Sequence, residues 1–275
     1  MNREKPTGNI YETKIELKDE LERLKNTDFT HPLYASAKTL ESIDLADKKV
    51  LDVGSGPDQK MGSLVENRGG KYIALDYNAS HLQTMKRSAE EKDLDIFFVR
   101  GDVKNLPIKE GSVDFAHERF VLMHLSPEDR KKAIKEIVAT AKDTAFFLEY
   151  NWESLLSETH PEIINEFKKL AMEIMAKLKI QPYMGKLLET EVVTALSDTD
   201  EKYSTTNEIF ERNGKFGKEI SAMIKSLIEV ADKLLKDNDL KNKLIILEQK
   251  ILASTGEMEI IPPDINAVSV KKLSN

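Results

Sequence analysis

Three short stretches place chemically useful residues where a chain can present them. Gly54-Ser55-Gly56 follows the apolar run Val50-Leu51-Asp52-Val53. Without a Cβ, glycine turns the chain tightly and lets a ligand approach the main chain. Asp76 closes a second apolar run, Tyr72-Ile73-Ala74-Leu75, 22 residues after Gly54. A carboxylate at such a strand end accepts two hydrogen bonds from the vicinal hydroxyls of a ribose. Asp102 closes a third run, within Gly101-Asp102-Val103. There a carboxylate can accept from an exocyclic adenine amine while the Val103 amide meets a ring nitrogen. The bland alternatives are a plain turn at the glycines and a solvated or helix-capping acid at Asp76. A loop that cradles a pyrophosphate wants a third glycine, in the pattern G-x-G-x-x-G. That position is Gln59 and the next glycine is Gly62, so the loop suits a ligand without phosphate.

Bringing these residues to one edge requires strands that run the same way. Residues 50–53, 72–76, 96–99, 113–117 and 144–148 read as short strands. Residues 61–67, 80–92 and 127–141 read as helices between them, the last with Ser126 as N-cap and Pro127 at its first position. Such alternation predicts right-handed crossovers and a parallel sheet with helices on both faces. Ligands of such sheets bind outside the carboxyl ends of the strands. Ahead of this stretch, helices are expected over 12–25 and 32–42. Beyond Asn151 the rhythm changes. Helices are expected over 161–179 and 186–196, and a helical hairpin over 216–236 and 240–252, broken at Asp237-Asn238-Asp239. Strands are expected over 202–212 and 257–270, the latter with Pro262-Pro263 as a bulge or edge.

Composition narrows the function classes. The 275 residues carry 41 Lys and Arg against 48 Asp and Glu, a net charge of −7. Without a basic block, a nucleic-acid or anionic-membrane partner is not expected. There are no cysteines, which excludes disulfides, Cys-ligated zinc, iron–sulfur clusters and thiolate nucleophiles. The five histidines show no His-x-x-x-His pattern, so no metal site is expected. No apolar run approaches the ~20 residues of a membrane span, and the N-terminus lacks the apolar segment of a signal peptide. The expected location is cytoplasmic.

The ordered series of motifs resembles the class I S-adenosylmethionine-dependent methyltransferases, over roughly residues 10–152 and loosely beyond. Val50 to Pro57 resembles that family's first motif, Leu75-Asp76-Tyr77-Asn78 its second, and Gly101-Asp102-Val103 with Leu106-Pro107 its third. Asp114 to Leu125 resembles the fourth-strand segment of the small-molecule branch, which includes quinone- and natural-product-type enzymes. Glu149-Tyr150-Asn151-Trp152 and Pro182-Tyr183-Met184-Gly185 resemble later segments of that branch. Two departures stand out: Asp58 replaces a further glycine, and Ala141-Lys142-Asp143 replaces a Pro-Gly-Gly turn. The resemblance implies an α/β, Rossmann-like, mostly parallel seven-stranded sheet with helical cap insertions. It also implies a single domain, with a cofactor core at 49–151, an N-terminal helical lid at 1–48, and cap elements at 152–200 and 213–255.

The implied activity is in-line transfer of a methyl group from S-adenosylmethionine to a small-molecule acceptor, leaving S-adenosylhomocysteine. The implied cofactor residues are Asp52, Gly54, Ser55, Gly56, Asp76, Tyr77, Asp102, Val103, Glu118 and Arg119. Asp52 would act through water on the cofactor ammonium, and Arg119 on its carboxylate or in organising the loop. His117 and His124 are the candidate bases, because histidine titrates near neutrality. Core histidines are the competing reading for both. Tyr11, Trp152 and Tyr183 are candidate walls of an acceptor pocket, and the 216–252 hairpin is a candidate homodimer face. Two other readings stay open. One is a non-catalytic binding module that keeps the fold. The other is a nicotinamide-dependent oxidoreductase, which the missing third glycine and the presence of Asp102 both disfavour.

Overall fold

The computed structural model describes residues 18–26, 38–41, 43–210, 217–254 and 258–273. Tyr11, residues 12–17 of the first expected helix, and residues 32–37 and 42 of the second lie outside these residues. In chain order the elements are α1 (Lys18–Asn26), β1 (Lys49–Val53), α2 (Lys60–Glu66), β2 (Lys71–Asp76), α3 (Ala79–Glu90), β3 (Phe97–Arg100) and β4 (Val113–Arg119). Then follow α4 (Pro127–Thr140), β5 (Ala141–Asn151), α5 (Pro161–Lys177), α6 (Met184–Leu196), β6 (Tyr203–Phe210), α7 (Gly217–Glu229), α8 (Asn238–Ser254) and β7 (Asp264–Lys272).

The chain groups into two compact units. The sheet unit comprises residues 28–150, 184–210 and 265–275. Its seven strands lie in the order β3-β2-β1-β4-β5-β7-β6. β1 pairs in parallel with β2 and β4, β2 with β3, and β4 with β5. β6 and β7 run antiparallel to each other. The expected mostly parallel, Rossmann-like sheet is therefore present. β1 is short and wholly apolar apart from Lys49 and Asp52, as a strand flanked on both sides must be. Its Val50 packs with Leu40, Met61, Val65, Tyr72, Met85, Phe115 and Phe146 in one buried cluster. α4 begins as its sequence demands: the Ser126 hydroxyl accepts from the Asp129 amide at 3.2 Å and Pro127 holds the first position.

The helical unit comprises residues 1–27, 151–183 and 211–264. α1 packs on α7, α7 on α8, and α5 on α8. α7 continues into a π-helical turn, Val230–Leu235, and Lys236 then takes a left-handed conformation (φ 54°) that ends it. Asp237 restarts the chain by accepting from the Leu240 amide at 3.0 Å.

Three local expectations need correction. The final strand starts at Asp264, because Pro262 and Pro263 have no N–H for a ladder. Ahead of them, Ile261 makes only an isolated bridge to Leu156. Residues 141–143 are not a loop: α4 runs directly into β5, whose Ala141 pairs with Val113. Helix α6, expected among the cap elements, belongs to the sheet unit, where it packs on α4 and Arg130 meets Glu191 at 3.2 Å.

Candidate cofactor site

The glycine turn leaves the carboxyl end of β1 with both glycines in the left-handed region, Gly54 at φ 71° and Gly56 at φ 68°. A side chain there would be strained. β2 pins the turn from the side. The Gly54 and Ser55 amides both donate to the Leu75 carbonyl, at 2.8 and 3.0 Å. The Gly56 amide donates to Asp76 Oδ2 at 2.9 Å, and the Asn78 amide donates to Oδ1 at 2.7 Å. The turn and the acid are thus built as one piece. A carboxylate has about four lone-pair sites; the two amides use two of them, and His81 Nδ1 stands 3.6 Å from Oδ2. The space a Gly56 Cβ would occupy is open.

Asp102 leaves β3 in a tight turn, where the Asn105 amide donates to its carbonyl at 3.0 Å. Its carboxylate accepts from the Lys104 amide at 3.0 Å and stays partly exposed, while Val103 is buried. Tyr77 is half exposed beside Asp76. Gly101 is required by packing, since a Cβ would stand 2.6 Å from Pro107 Cδ.

Behind the turn lies a sealed polar network. Tyr72 Oη donates to Asp52 Oδ2 at 2.6 Å, and His117 Nδ1 lies 3.1 Å from Oδ1. Burial alone would raise the Asp52 carboxyl, but His117 and then Arg119 and Tyr72 bring it below its ordinary value. Tyr72 is pushed well above its ordinary value by burial and by Asp52, so it remains a donor. These facts correct two sequence expectations. Asp52, 1% exposed, serves Tyr72 and His117 rather than water at the strand end. His117, wholly buried on β4, is spent on Asp52 and is not presented to an acceptor.

The segment after β4 closes on the same turn. Phe120 takes a left-handed conformation (φ 59°) that costs a non-glycine residue energy. It is held there by stacking on Tyr150, with ring centroids 4.1 Å apart, and by its amide on the Leu148 carbonyl at 2.9 Å. Val121 reaches Gly54 so closely that its Cγ2 would stand 2.2 Å from a Cβ there. Glu118, expected as a cofactor contact, is wholly buried, and its Oε1 accepts from the Val121 and Leu122 amides at 2.6 and 3.2 Å. Glu149 Oε1 accepts from the Met123 amide at 3.0 Å. Arg119 ends β4 with its Nη1 buried and without a hydrogen-bond partner. His124 is half-buried and closes a 3-10 turn, Leu122–His124.

Trp152 and Tyr183 belong to the helical unit. Trp152 is core there, tilted on Phe167 with its amide on the Pro182 carbonyl, and so is not an open pocket wall. Tyr183 is 39% exposed. Among the described residues, no group of three or more His, Asp or Glu could hold a metal ion. No described helix is long and apolar enough to cross a membrane.

Sequence reasoning missed Tyr72 and Val121 as site residues, and noticed Glu149 only through a motif. A signal for Glu149 was present: it is a lone acid at the end of the apolar run Ala145-Phe146-Phe147-Leu148.

Known proteins sharpen the picture. Residues 50–144 match a methyltransferase domain family. This stretch, 95 of the 275 residues, is similar to that methyltransferase domain. A curated relative, an uncharacterized 37.1 kDa protein of transposon TN4556 from Streptomyces fradiae, is 26% identical over 155 residues. The match covers 54% of this chain and 44% of that relative, so less than half of its length is shared. The YcgJ structure from Bacillus subtilis is 15% identical at TM-score 0.59, covering 89% of this chain and 99% of its own. The phosphoethanolamine N-methyltransferase 2 structure from Haemonchus contortus, determined with phosphomonomethylethanolamine and S-adenosylhomocysteine, is 12% identical at TM-score 0.57. It covers 94% of this chain and 57% of its own. At these identities the structures speak for the fold of the methyltransferase domain.

The residues of the methyltransferase domain fit an S-adenosyl group. Gly56 offers open backbone, Asp76 retains acceptor capacity, and Ser55 Oγ and Arg119 Nη1 are buried polar atoms with no partner of their own.

Proposed function

We propose that the protein transfers a methyl group from S-adenosylmethionine to a small-molecule acceptor by in-line displacement. The observation that carries this reading is the single piece formed by the glycine turn and Asp76, with unpartnered Ser55 Oγ and Arg119 Nη1 at neighbouring strand ends. When bound, S-adenosylmethionine supplies a methyl group on a positively charged sulfur. The protein's part is to hold donor and acceptor at attack distance and keep water out. Asp76 accepts from the ribose hydroxyls, with Tyr77 beside it. Asp102 and the Val103 amide receive the adenine edge. Gly54, Ser55 and Gly56 let the cofactor approach the main chain. Arg119 receives the cofactor carboxylate. Of the two histidines, His124 is retained as the candidate base, because His117 is sealed.

The small-molecule assignment is supported by the acidic net charge of −7 and by the phosphomonomethylethanolamine bound in the Haemonchus structure. The quinone or natural-product class remains part of the same reading, as do a cytoplasmic location and one domain with an N-terminal lid. A homodimer through the α7–α8 hairpin is supported by Ile246, 52% exposed on α8. Sedimentation of the purified chain tests it.

Titration calorimetry with S-adenosylhomocysteine tests the cofactor reading. Wild type is expected to bind in about the micromolar range, and Asp76→Ala about a hundredfold more weakly, as for the loss of charge-assisted hydrogen bonds. Equal affinities would refute the placement of the ribose, and no heat with wild type would sink the reading.

A further inference from the structure

Glu118 and Glu149 form a buried acidic pair that anchors one short segment of backbone. Both are wholly buried, on the neighbouring parallel strands β4 and β5. Each uses Oε1 to accept backbone amides of the 121–123 segment. The other oxygens, both named Oε2, are buried without a hydrogen-bond partner, and each carboxyl group bears on the titration of the other. Two carboxylates have only acceptors to offer, so a bond between them needs a proton on one of them.

Other charges give the pair no relief. Asp52 on β1 adds a negative charge that bears on Glu118. His117 and Tyr72 are committed to Asp52, and the Arg119 charge bears on Asp52 and Asp58. Burial pushes Glu118 up to about 7, against the pull of the Val121 and Leu122 amides. Burial and then Glu118 push Glu149 well above its ordinary value.

What the pair holds is the segment that meets the glycine turn. Val121 lies against Gly54, and Arg119 and Phe120 immediately precede it. The amides of Val121, Leu122 and Met123 have no stronger anchor than these two carboxyl groups.

We infer that Glu118 and Glu149 act as a proton-sharing pair of positioning residues, which set the 119–123 segment, and with it Arg119, for the S-adenosyl group. This inference rests on the cofactor reading above. The first proton leaves as Glu118 titrates at about 7 and the shared one only at higher pH; its loss leaves two buried carboxylates side by side, and their repulsion releases the segment. Cofactor affinity therefore falls as pH rises through the titration of the pair.

The decisive variant is Glu149→Gln. Its amide oxygen can accept from Met123 while its NH2 donates to Glu118, so the bond pattern persists with no proton to lose. Affinity for S-adenosylhomocysteine is measured by calorimetry on the full chain between about pH 7 and about pH 10. Wild type is expected to weaken about tenfold relative to Glu149→Gln across that range, a change equal to about one pKa unit of coupling. Glu149→Ala is expected to bind weakly throughout. Parallel pH profiles for wild type and Glu149→Gln would overturn the inference.

Infrared difference spectroscopy between the two pH values reads the proton without any ligand. A protonated-carboxyl C=O band is expected in wild type at the lower pH and not in Glu149→Gln. Its absence from wild type overturns the shared proton. Its presence without any S-adenosylhomocysteine binding confirms the shared proton, while the cofactor reading fails and takes the positioning role with it.

Discussion

Two glutamate sites, one in each unit, do the same job under opposite charge states. In the helical unit, Glu229 on α7 accepts from the first amides of α1: Lys18 and Asp19 at 2.8 and 2.9 Å, and Glu20 at 3.3 Å. Those amides have no partner within their own helix, and the positive end of the helix favours an anion. Lys233, one turn along, adds a cation at 2.7 Å. Burial alone would raise Glu229, yet Lys233 and the three amides hold it below its ordinary value. In the sheet unit, Glu118 and Glu149 also accept backbone amides, but among the described residues no cation pairs with either carboxyl, and each bears on the other. Both titrate high. Burial is common to the two sites. The decisive difference is what stands beside the carboxyl.

The opposite shifts give opposite pH responses. Glu229 has a depressed folded pKa, so its contribution is present above its unfolded value near 4.5 and is lost as pH falls through the folded value. Glu118 has a raised folded pKa, so stability is fullest below about 4.5 and declines as pH rises through about 7. Acid should therefore loosen the helical unit first, and mild alkali the 119–123 segment. Hydrogen exchange at the amides of residues 18–20 and 121–123 would show this contrast. Equal pH responses at the two sets would break it.

The largest effect is expected from Glu149→Ala. It leaves the Met123 amide unpaired and Glu118 alone in a buried site, a loss of about 3 kcal/mol by urea unfolding. Glu229→Ala should cost about 2 kcal/mol near neutral pH, and less in acid, where the wild-type carboxylate is itself neutralised. If its cost is unchanged in acid, the ionised state assigned to Glu229 is wrong. Ser126→Ala, a simple cap on α4 with no pH-sensitive partner, should cost about 1 kcal/mol at every pH. It serves as the reference against which the two glutamate sites are read.

Much of the fold was legible because strand order follows local pattern. Short apolar runs ending in Gly54, Asp76 and Asp102 announced a parallel sheet, and their strand ends fell where the pattern put them. Boundaries failed where backbone chemistry ruled, as at Pro262-Pro263 and at the direct passage from α4 into β5. The candidate site was half legible. Asp76 and Glu149 look alike in sequence, each an acid closing an apolar run. Asp76 turns toward the glycine amides, whereas Glu149 turns into the protein and meets Glu118. Side-chain direction at a strand end depends on the neighbouring loop, and that loop is set by contacts 26 or more residues away, such as Met123 to Glu149. His117 was misjudged for a similar reason. Its place near the strand end suggested access, but its partner Asp52 lies on the adjacent strand and draws it inward.

The most direct measurement is a crystal structure of the full chain with S-adenosylhomocysteine. The account predicts the ribose hydroxyls on Asp76, the adenine edge beside Asp102 and the Val103 amide, and the carboxylate at Arg119, with Glu118 still on the Val121 amide. A ligand seated away from the Gly54–Gly56 turn, with Asp76 untouched, would contradict it.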